Sequence, residues 1–99
     1  MKHNQQFATQ VLQLNSQWEN TSKSVIADNI EKYLYAEYPE CRKSYKMKMD
    51  KLMDITKCKK DSIYSWLNRS RENVKAPLLK LCILAVGLNV DVHNFFEAE

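Results

Sequence analysis

The sequence has only one glycine, two prolines and three cysteines among its 99 residues. A glycine-rich phosphate loop needs several glycines close together, so the lone Gly87 excludes one. Cys41, Cys58 and Cys82 are far apart and lack a C-x-x-C or histidine spacing, which argues against a disulfide framework and against structural zinc. We therefore expect three reduced thiols, with no metal and no other cofactor.

Long apolar runs are also absent. No segment approaches the roughly 20 apolar residues that a membrane span needs, and the first residues lead into no stretch that resembles a signal peptide. A chain of 99 residues suits a single folded core. We therefore expect one folded domain with no membrane association, located in the cytoplasm.

Residue combinations typical of catalysis are missing as well. The sequence has two histidines, and neither has a serine, a cysteine or paired carboxylates at a spacing that suggests nucleophilic or acid–base chemistry. His3 lies near the N-terminus, and His93 has only Asp91 close to it in the chain. The sequence therefore predicts a protein that is not an enzyme.

Charge is distributed unevenly along the chain. Residues 41–80 contain twelve Lys and Arg against four Asp and Glu, a net charge of +8, whereas residues 1–40 carry −2 and residues 81–99 carry −3. Lysine and arginine displace the counterions condensed on nucleic acids, and this displacement supplies much of the binding free energy. The basic block is typical of a nucleic-acid-binding surface, although a solvated helix surface can have the same composition.

Apolar spacing predicts helices, and no segment alternates apolar and polar residues over the length of a strand. A helix over about residues 4–18 is followed by one that starts at Thr21 or Ser22 and ends before Pro39. After a connection over 38–45, helical spacing returns around 49–56, around 63–67, after Pro77 and over 91–97. The apolar face of the first helix consists of Phe7, Val11, Leu14 and Trp18.

Residues 52–66 contain two short helical segments separated by a very short turn. Their sequence, LMDITKCKKDSIYSW, resembles the helix-turn-helix of the lambda-repressor and Cro type, also called the Xre family. In that family a Leu-Ala pair opens the first helix, Gly-Val forms the turn, and two bulky apolar residues pack the second helix onto the first. These positions fall on Leu52-Met53, on Lys57-Cys58, and on Ile63 and Trp66.

The resemblance covers residues 25–96. Residues 25–34 look like the family's first helix, and residues 77–96 are similar, without a gap, to its final two helices. The resemblance implies an all-α fold, with a compact five-helix, lambda-repressor-like helix-turn-helix domain over residues 22–99. Residues 1–21 would form an additional N-terminal helical extension.

Three positions depart from the family pattern. Lys57 replaces the turn glycine, which adopts positive φ without strain, whereas an L-residue there costs roughly 1 kcal/mol. Met53 replaces a small residue where the two helices cross. Lys59 replaces the usual Ser or Thr N-cap of the second helix, so a capping oxygen must come from elsewhere, with Asp61 as a candidate.

The resemblance implies that the helix at about residues 60–69 reads DNA. A recognition helix lies in the major groove with its N-terminal side chains facing base edges, and the family's reading positions fall on Lys60, Asp61, Tyr64 and Ser65. Lys60 could donate to guanine and Asp61 could accept from cytosine, although Asp61 could instead only stabilise the helix N-terminus. Other cations would hold phosphates without reading sequence. The candidates are Lys43, Lys46, Lys48, Lys57, Lys59, Arg69, Arg71 and Lys75.

The helix after Pro77 has apolar side chains around most of its circumference. At ~100° per residue, one arc of this helix faces the core, whereas the adjoining arc needs a second partner. The core-facing arc consists of Leu78, Leu81, Leu84, Ala85 and Leu88. Either the N-terminal helix folds back over that arc, or a second subunit covers it across a two-fold axis, as two DNA half-sites would favour. The adjoining arc consists of Leu79, Cys82, Ile83 and Val86.

Two functions remain open from the sequence. The first is a sequence-specific transcriptional regulator, a homodimeric repressor of phage, plasmid or bacterial origin that binds double-stranded DNA. The second is a protein-interaction module on the same helical scaffold, such as an antitoxin or an inhibitor, whose basic block meets an acidic protein partner. The resemblance favours the first function, and the three departures from the family pattern favour the second.

Overall fold

Five α-helices dominate the computed structural model, which describes residues 2–71 and 74–98, with side chains from residue 8 onward. Two short 3-10 helices, Pro39–Arg42 and Val92–Phe96, lie between and after them, and the described residues contain no strand. The predicted all-helical class is confirmed. The α-helices are α1 (Lys2–Asn20), α2 (Lys23–Glu37), α3 (Tyr45–Thr56), α4 (Lys60–Leu67) and α5 (Leu78–Leu88).

Serine caps set the start of two helices. The Ser22 hydroxyl accepts from the Val25 amide at 3.3 Å, so the second of the two predicted caps begins α2. Ser44 caps α3 in the same way and accepts from the Met47 amide at 3.2 Å. Each cap satisfies one of the amides that have no partner in the first turn of a helix.

The short last helix predicted over 91–97 is present as a 3-10 helix. It spans Val92–Phe96, and the Asp91 carboxylate accepts from the His93 amide at 2.8 Å to begin it. α5 ends at Leu88 and is capped by Asn89, whose φ of 58° is a left-handed conformation that asparagine tolerates well. The chain therefore turns back sharply, and the short 3-10 helix brings Phe95 into the core.

The core lies where α2, α3, α4 and α5 meet. Seven large apolar side chains of α3, α4 and α5 are buried there, and Cys58 is half-buried. Phe95 is also fully buried, with its ring edge-on to Tyr33 at a centroid distance of 5.9 Å. Burial of each large apolar side chain contributes about 1.5–3 kcal/mol to folding. The seven buried residues are Met49, Leu52, Ile63, Trp66, Leu81, Leu84 and Leu88.

Gly87 allows α5 to approach α3 closely. A Cβ atom at residue 87 would lie 2.6 Å from Cγ2 of Ile55, a distance at which the neighbouring atoms have to shift. Ile55 is β-branched and has little freedom to move aside. The one glycine of the chain therefore stands at a helix contact that has no room for a side chain.

α1 is joined to the rest of the chain near its C-terminal end. Trp18 Nε1 donates to the Ala76 carbonyl at 2.8 Å, and Lys75 Nζ donates to the carbonyls of Trp18 at 2.6 Å and Thr21 at 2.8 Å. These bonds link positions more than fifty residues apart in sequence. The end of α1 is therefore fixed against the segment that precedes α5.

The predicted apolar face of α1 is only partly covered. Leu14 and Trp18 are half-buried, whereas Val11 is exposed. The side chains of Phe7 and His3 lie outside the described residues. Over the part of the chain that the structure covers, none of the helices combines the length and hydrophobicity needed to cross a bilayer.

Candidate nucleic-acid interface

A left-handed residue joins α3 to α4. Lys57 has φ 59° and ψ 24°, and its amide donates to the Met53 carbonyl at 2.8 Å. The Cys58 amide then donates to the Thr56 hydroxyl at 3.2 Å, which ties the turn to the last residue of α3. The predicted positive φ of Lys57 is confirmed. Residues 57–59 are thus a three-residue connection between α3 and α4.

α4 has a buried face and an exposed face. Ile63 and Trp66 are buried against the core. Lys60, Asp61 and Tyr64 lie on the other side of the helix and are exposed, with 52% of Tyr64 accessible to solvent. Three of the four predicted base-reading side chains therefore share one accessible surface at the N-terminal part of α4.

Ser65, the fourth predicted reader, is half-buried. Its hydroxyl donates to the Asp61 carbonyl within α4 at 3.0 Å, so it has a partner already. Lys59 precedes the helix without forming a side-chain cap, and Asp61 lies in the first turn, where a negative charge stabilises the helix N-terminus.

Six of the eight predicted phosphate contacts are exposed. Lys46 Nζ lies 2.7 Å from the Asp50 carboxylate, whose hydrogen bond raises the pKa of Lys46, and Lys57 Nζ lies 3.4 Å from Asp54. Exposed ion pairs of this kind are weak, so these cations can exchange a carboxylate for a phosphate. The six exposed residues are Lys43, Lys46, Lys57, Lys59, Arg69 and Arg71.

Lys48 and Arg69 are bound within the chain. Both donate to the carboxylate of Glu31 on α2, and Arg69 also donates to Asp28. Burial alone would raise the pKa of Glu31, but the hydrogen bonds from Lys48 and Arg69 lower it below its ordinary value. Lys48 and Arg69, which the sequence predicts to be phosphate contacts, therefore already have carboxylate partners within the chain.

Lys75, another predicted phosphate contact, also has partners within the chain. Its ammonium group donates to three carbonyls at the C-terminal end of α1, and burial lowers its pKa. Lys80 acts similarly on α3, with Nζ 3.1 Å from the Thr56 carbonyl. Carbonyls without partners at a helix C-terminus attract cations, so both lysines stabilise helix ends.

Lys23 is the most unusual cation, and the sequence pattern did not single it out. It is only 5% exposed, and its ammonium group donates to the carbonyls of Ser65 and Asn68 at 2.6 Å and also to that of Arg71. Burial lowers its pKa, and the nearby charges of Arg71 and Arg69 lower it further. Lys23 lies on the apolar face of α2, three residues before the buried Ile26. This helical spacing was the sign in the sequence that Lys23 would be buried.

A cleft of about 230 Å³ lies beside the exposed face of α4. Tyr45, the first residue of α3, is 54% exposed, and the Lys60 ammonium group lies 5.7 Å from the centroid of its ring. The sequence pattern did not identify Tyr45, because its proximity to Lys60 depends on how α3 packs against α4. The cleft is lined by Glu31, Tyr45, Lys48, Met49, Tyr64, Leu67, Asn68 and Arg69.

The outer arc of α5 remains accessible. Leu79 is 68% exposed and Val86 is 84% exposed, whereas Cys82 and Ile83 are half-buried. α1 therefore leaves the two most prominent side chains of this arc uncovered. A groove of about 490 Å³ adjoins Val86, and further valines of the C-terminal segment line it.

Metal-ligating side chains are dispersed in the described part of the chain, where no three His, Cys, Asp or Glu residues are grouped to hold an ion. The three cysteines are free thiols. His93 Nδ1 lies 2.7 Å from Asp91, and hydrogen bonds from the His93 amide and ring lower the pKa of this carboxyl. This exposed pair belongs to the start of the last 3-10 helix.

Comparison with known proteins gives no relative, because no family model, no curated protein and no solved structure matches this chain. The resemblance to the lambda-repressor and Cro type therefore depends on the sequence patterns of residues 25–34, 52–66 and 77–96 alone.

Proposed function

We propose that this chain is a sequence-specific DNA-binding transcriptional regulator that inserts α4 into the major groove. The observation that carries the proposal is the left-handed turn at Lys57, which joins α3 to a short helix with a buried apolar face and an exposed polar face. A helix held in this way can place its N-terminal side chains against base edges. Such a regulator acts where the DNA is, which for a bacterial or phage protein is the cytoplasm.

Base reading is assigned to the exposed end of α4. Lys60 donates to guanine O6 or N7, Asp61 accepts from cytosine N4, and Tyr64 and Ser65 contact neighbouring edges. Phosphates are held by cations on both sides of this helix, and these contacts fix the protein on the duplex without reading sequence. The proposed phosphate contacts are Lys43, Lys46, Lys57, Lys59 and Arg71.

A mobility shift on mixed genomic fragments at two salt concentrations tests the proposal. We expect discrete shifted fragments that persist at the higher salt concentration, because base contacts discriminate between sequences while phosphate contacts weaken with salt. Uniform binding that vanishes at higher salt, or no binding at all, would contradict a sequence-specific regulator.

We further propose that the regulator is a homodimer and acts as a repressor by occupying a two-fold symmetric operator. The exposed arc of α5 supports this, since Leu79 and Val86 offer an apolar surface that α1 leaves uncovered. A second copy that packs on this arc would fix the spacing between two recognition helices. If something other than a second copy covers this arc, the wild-type protein should be monomeric.

The double variant Leu79→Lys with Val86→Glu tests the dimer. Both side chains are exposed, so the variant should fold as the wild type does. We expect wild-type dimers and variant monomers in sedimentation at tens of micromolar, together with much weaker DNA binding by the variant. A monomeric wild type, or a variant that stays dimeric, would reject this interface.

A protein-interaction module is the second candidate function. It is favoured by the internal binding of Lys48, Arg69 and Lys75, which leaves the basic block with less free charge than its sequence suggests. In that case the exposed cations would meet an acidic protein surface. Absence of any DNA shift, combined with salt-sensitive binding to a defined acidic protein, would support this candidate.

A further inference from the structure

A lysine can distinguish one base from another only if the position of its ammonium group is restrained. Its ammonium group is a compact charge on a flexible four-carbon chain, and it can donate in many directions to many acceptors. An unrestrained lysine therefore favours the nearest phosphate as readily as a base edge. If Lys60 discriminates between base pairs, some neighbouring group must limit where its ammonium group lies.

Tyr45 is placed to provide this restraint. The Lys60 ammonium group lies 5.7 Å from the centroid of the Tyr45 ring, within the ~6 Å over which an aromatic face attracts a cation. The backbone at Tyr45 is fixed by the Ser44 cap at the start of α3. Tyr64, one turn after Lys60 on α4, lines the same cleft as Tyr45.

The chemistry of this contact differs from that of the neighbouring lysines. Lys46 and Lys57 lie beside carboxylates, which accept hydrogen bonds from the ammonium group. An aromatic face attracts the positive charge without accepting such a strong hydrogen bond. Lys60 can therefore be held by Tyr45 and still donate to acceptors on a base.

We propose that Tyr45 is a positioning residue that orients Lys60 toward guanine acceptors, so that α3 contributes to sequence specificity through α4. The proposal rests on the DNA-binding function given above and deepens it. Tyr45 itself need not touch DNA, because it acts on the side chain that reads the base.

The test begins with selection of the preferred site of the wild-type protein from random-sequence duplexes. Kd is then measured for that site and for every single base-pair change, with wild type, Tyr45→Leu and Tyr45→Phe. Leucine keeps an apolar side chain without an aromatic face, whereas phenylalanine keeps the face. We expect Tyr45→Leu to reduce discrimination at the base pair read by Lys60 by about two- to five-fold, and Tyr45→Phe to preserve it.

Two controls separate this role from a structural one. In a Lys60→Ala background, Tyr45→Leu should cause no further loss of discrimination, because the side chain that it orients is absent. Lys51→Ala removes another lysine–tyrosine contact of α3, in which Nζ lies 4.3 Å from the Tyr38 ring centroid. We expect Lys51→Ala to leave discrimination at every base pair unchanged.

The outcomes distinguish the two proposals. A wild-type protein that selects no sequence would overturn the DNA-reading function and, with it, the role of Tyr45. A wild-type protein that selects a site, with Tyr45→Leu retaining full discrimination or losing affinity equally for all base pairs, would overturn the role of Tyr45 alone.

Discussion

Two groups of lysines in this chain have the same chemistry and opposite placements. The outer lysines, Lys57, Lys59 and Lys60, lie exposed in the turn and at the start of α4. The inner lysines contact backbone carbonyls or a half-buried carboxylate on other elements. The difference shows that a basic block in a sequence does not equal a basic surface, because helix C-termini also bind cations. The inner lysines are Lys23, Lys48, Lys75 and Lys80.

The largest difference between the groups should appear in stability. Lys23→Met removes the donor for three carbonyls, and hydrogen bonds from a charged donor contribute about 1.5–3 kcal/mol each, partly offset by relief from burying the charge. We expect the free energy of unfolding, measured in urea, to fall by about 3 kcal/mol.

Lys57→Met is the matched control, because it makes the same substitution at an outer lysine that already has positive φ. Its stability should stay within about 0.5 kcal/mol of wild type. Equal stability of the two variants would contradict the division into inner and outer lysines.

For DNA binding, in contrast to stability, the exposed outer cations should have the larger effects. Lys60→Ala should weaken binding to the preferred site by about 1–3 kcal/mol and relax the preference at one base pair, because a base contact is lost. Lys43→Ala and Arg71→Ala should weaken binding to all sequences alike, because they contact phosphates. Kd values on the preferred site and on random duplexes check both expectations, and equal losses by all three variants on both DNAs would refute them.

A smaller effect should distinguish charge from backbone strain at Lys57. Lys57→Gly relieves the backbone strain of an L-residue in the left-handed conformation. The free energy of unfolding, measured by thermal unfolding, should therefore rise by about 1 kcal/mol. The same variant should bind DNA more weakly at low salt, since one phosphate contact is lost. A variant that gains no stability would show that the strain at residue 57 is already offset in the wild type.

The smallest effect concerns the acid sensitivity of the inner group. The pKa of Glu31 is held below its ordinary value of 4.5 in the fold because the Lys48 and Arg69 hydrogen bonds outweigh the opposing effect of burial. The ionised Glu31 carboxylate therefore stabilises the fold above pH 4.5, and this stabilisation is lost as the pH falls through the folded-state pKa of Glu31.

Urea unfolding as a function of pH measures this contribution. Glu31→Gln should lose less stability than wild type on acidification below pH 4.5, because it has no proton to gain at this site. Glu37→Gln, an exposed position on the same helix, should follow the wild-type curve. Parallel curves for wild type and Glu31→Gln would show that this ion-pair cluster does not contribute to acid unfolding.

Local patterns predicted much of the helical framework. The apolar spacing and the Ser22 cap identified α2, and the positive φ of Lys57 followed from the motif in which it stands. The end of the chain was harder, because a short segment that closes a core can be α or 3-10 with little change in its apolar spacing. The contact between Tyr45 and Lys60 needs the packing of two helices, which no local spacing specifies.

The sequence by itself determined where the helices form, which of their faces are apolar and which residue adopts the left-handed turn. These properties depend on side chains within about one turn of each other. Only the tertiary structure decided which groups each lysine and arginine side chain contacts. A lysine side chain is long and flexible, and its partner can be a carbonyl brought close by folding, as Lys75 reaches Trp18 across 57 positions. The free charge left for a partner is therefore a property of the fold and not of the composition.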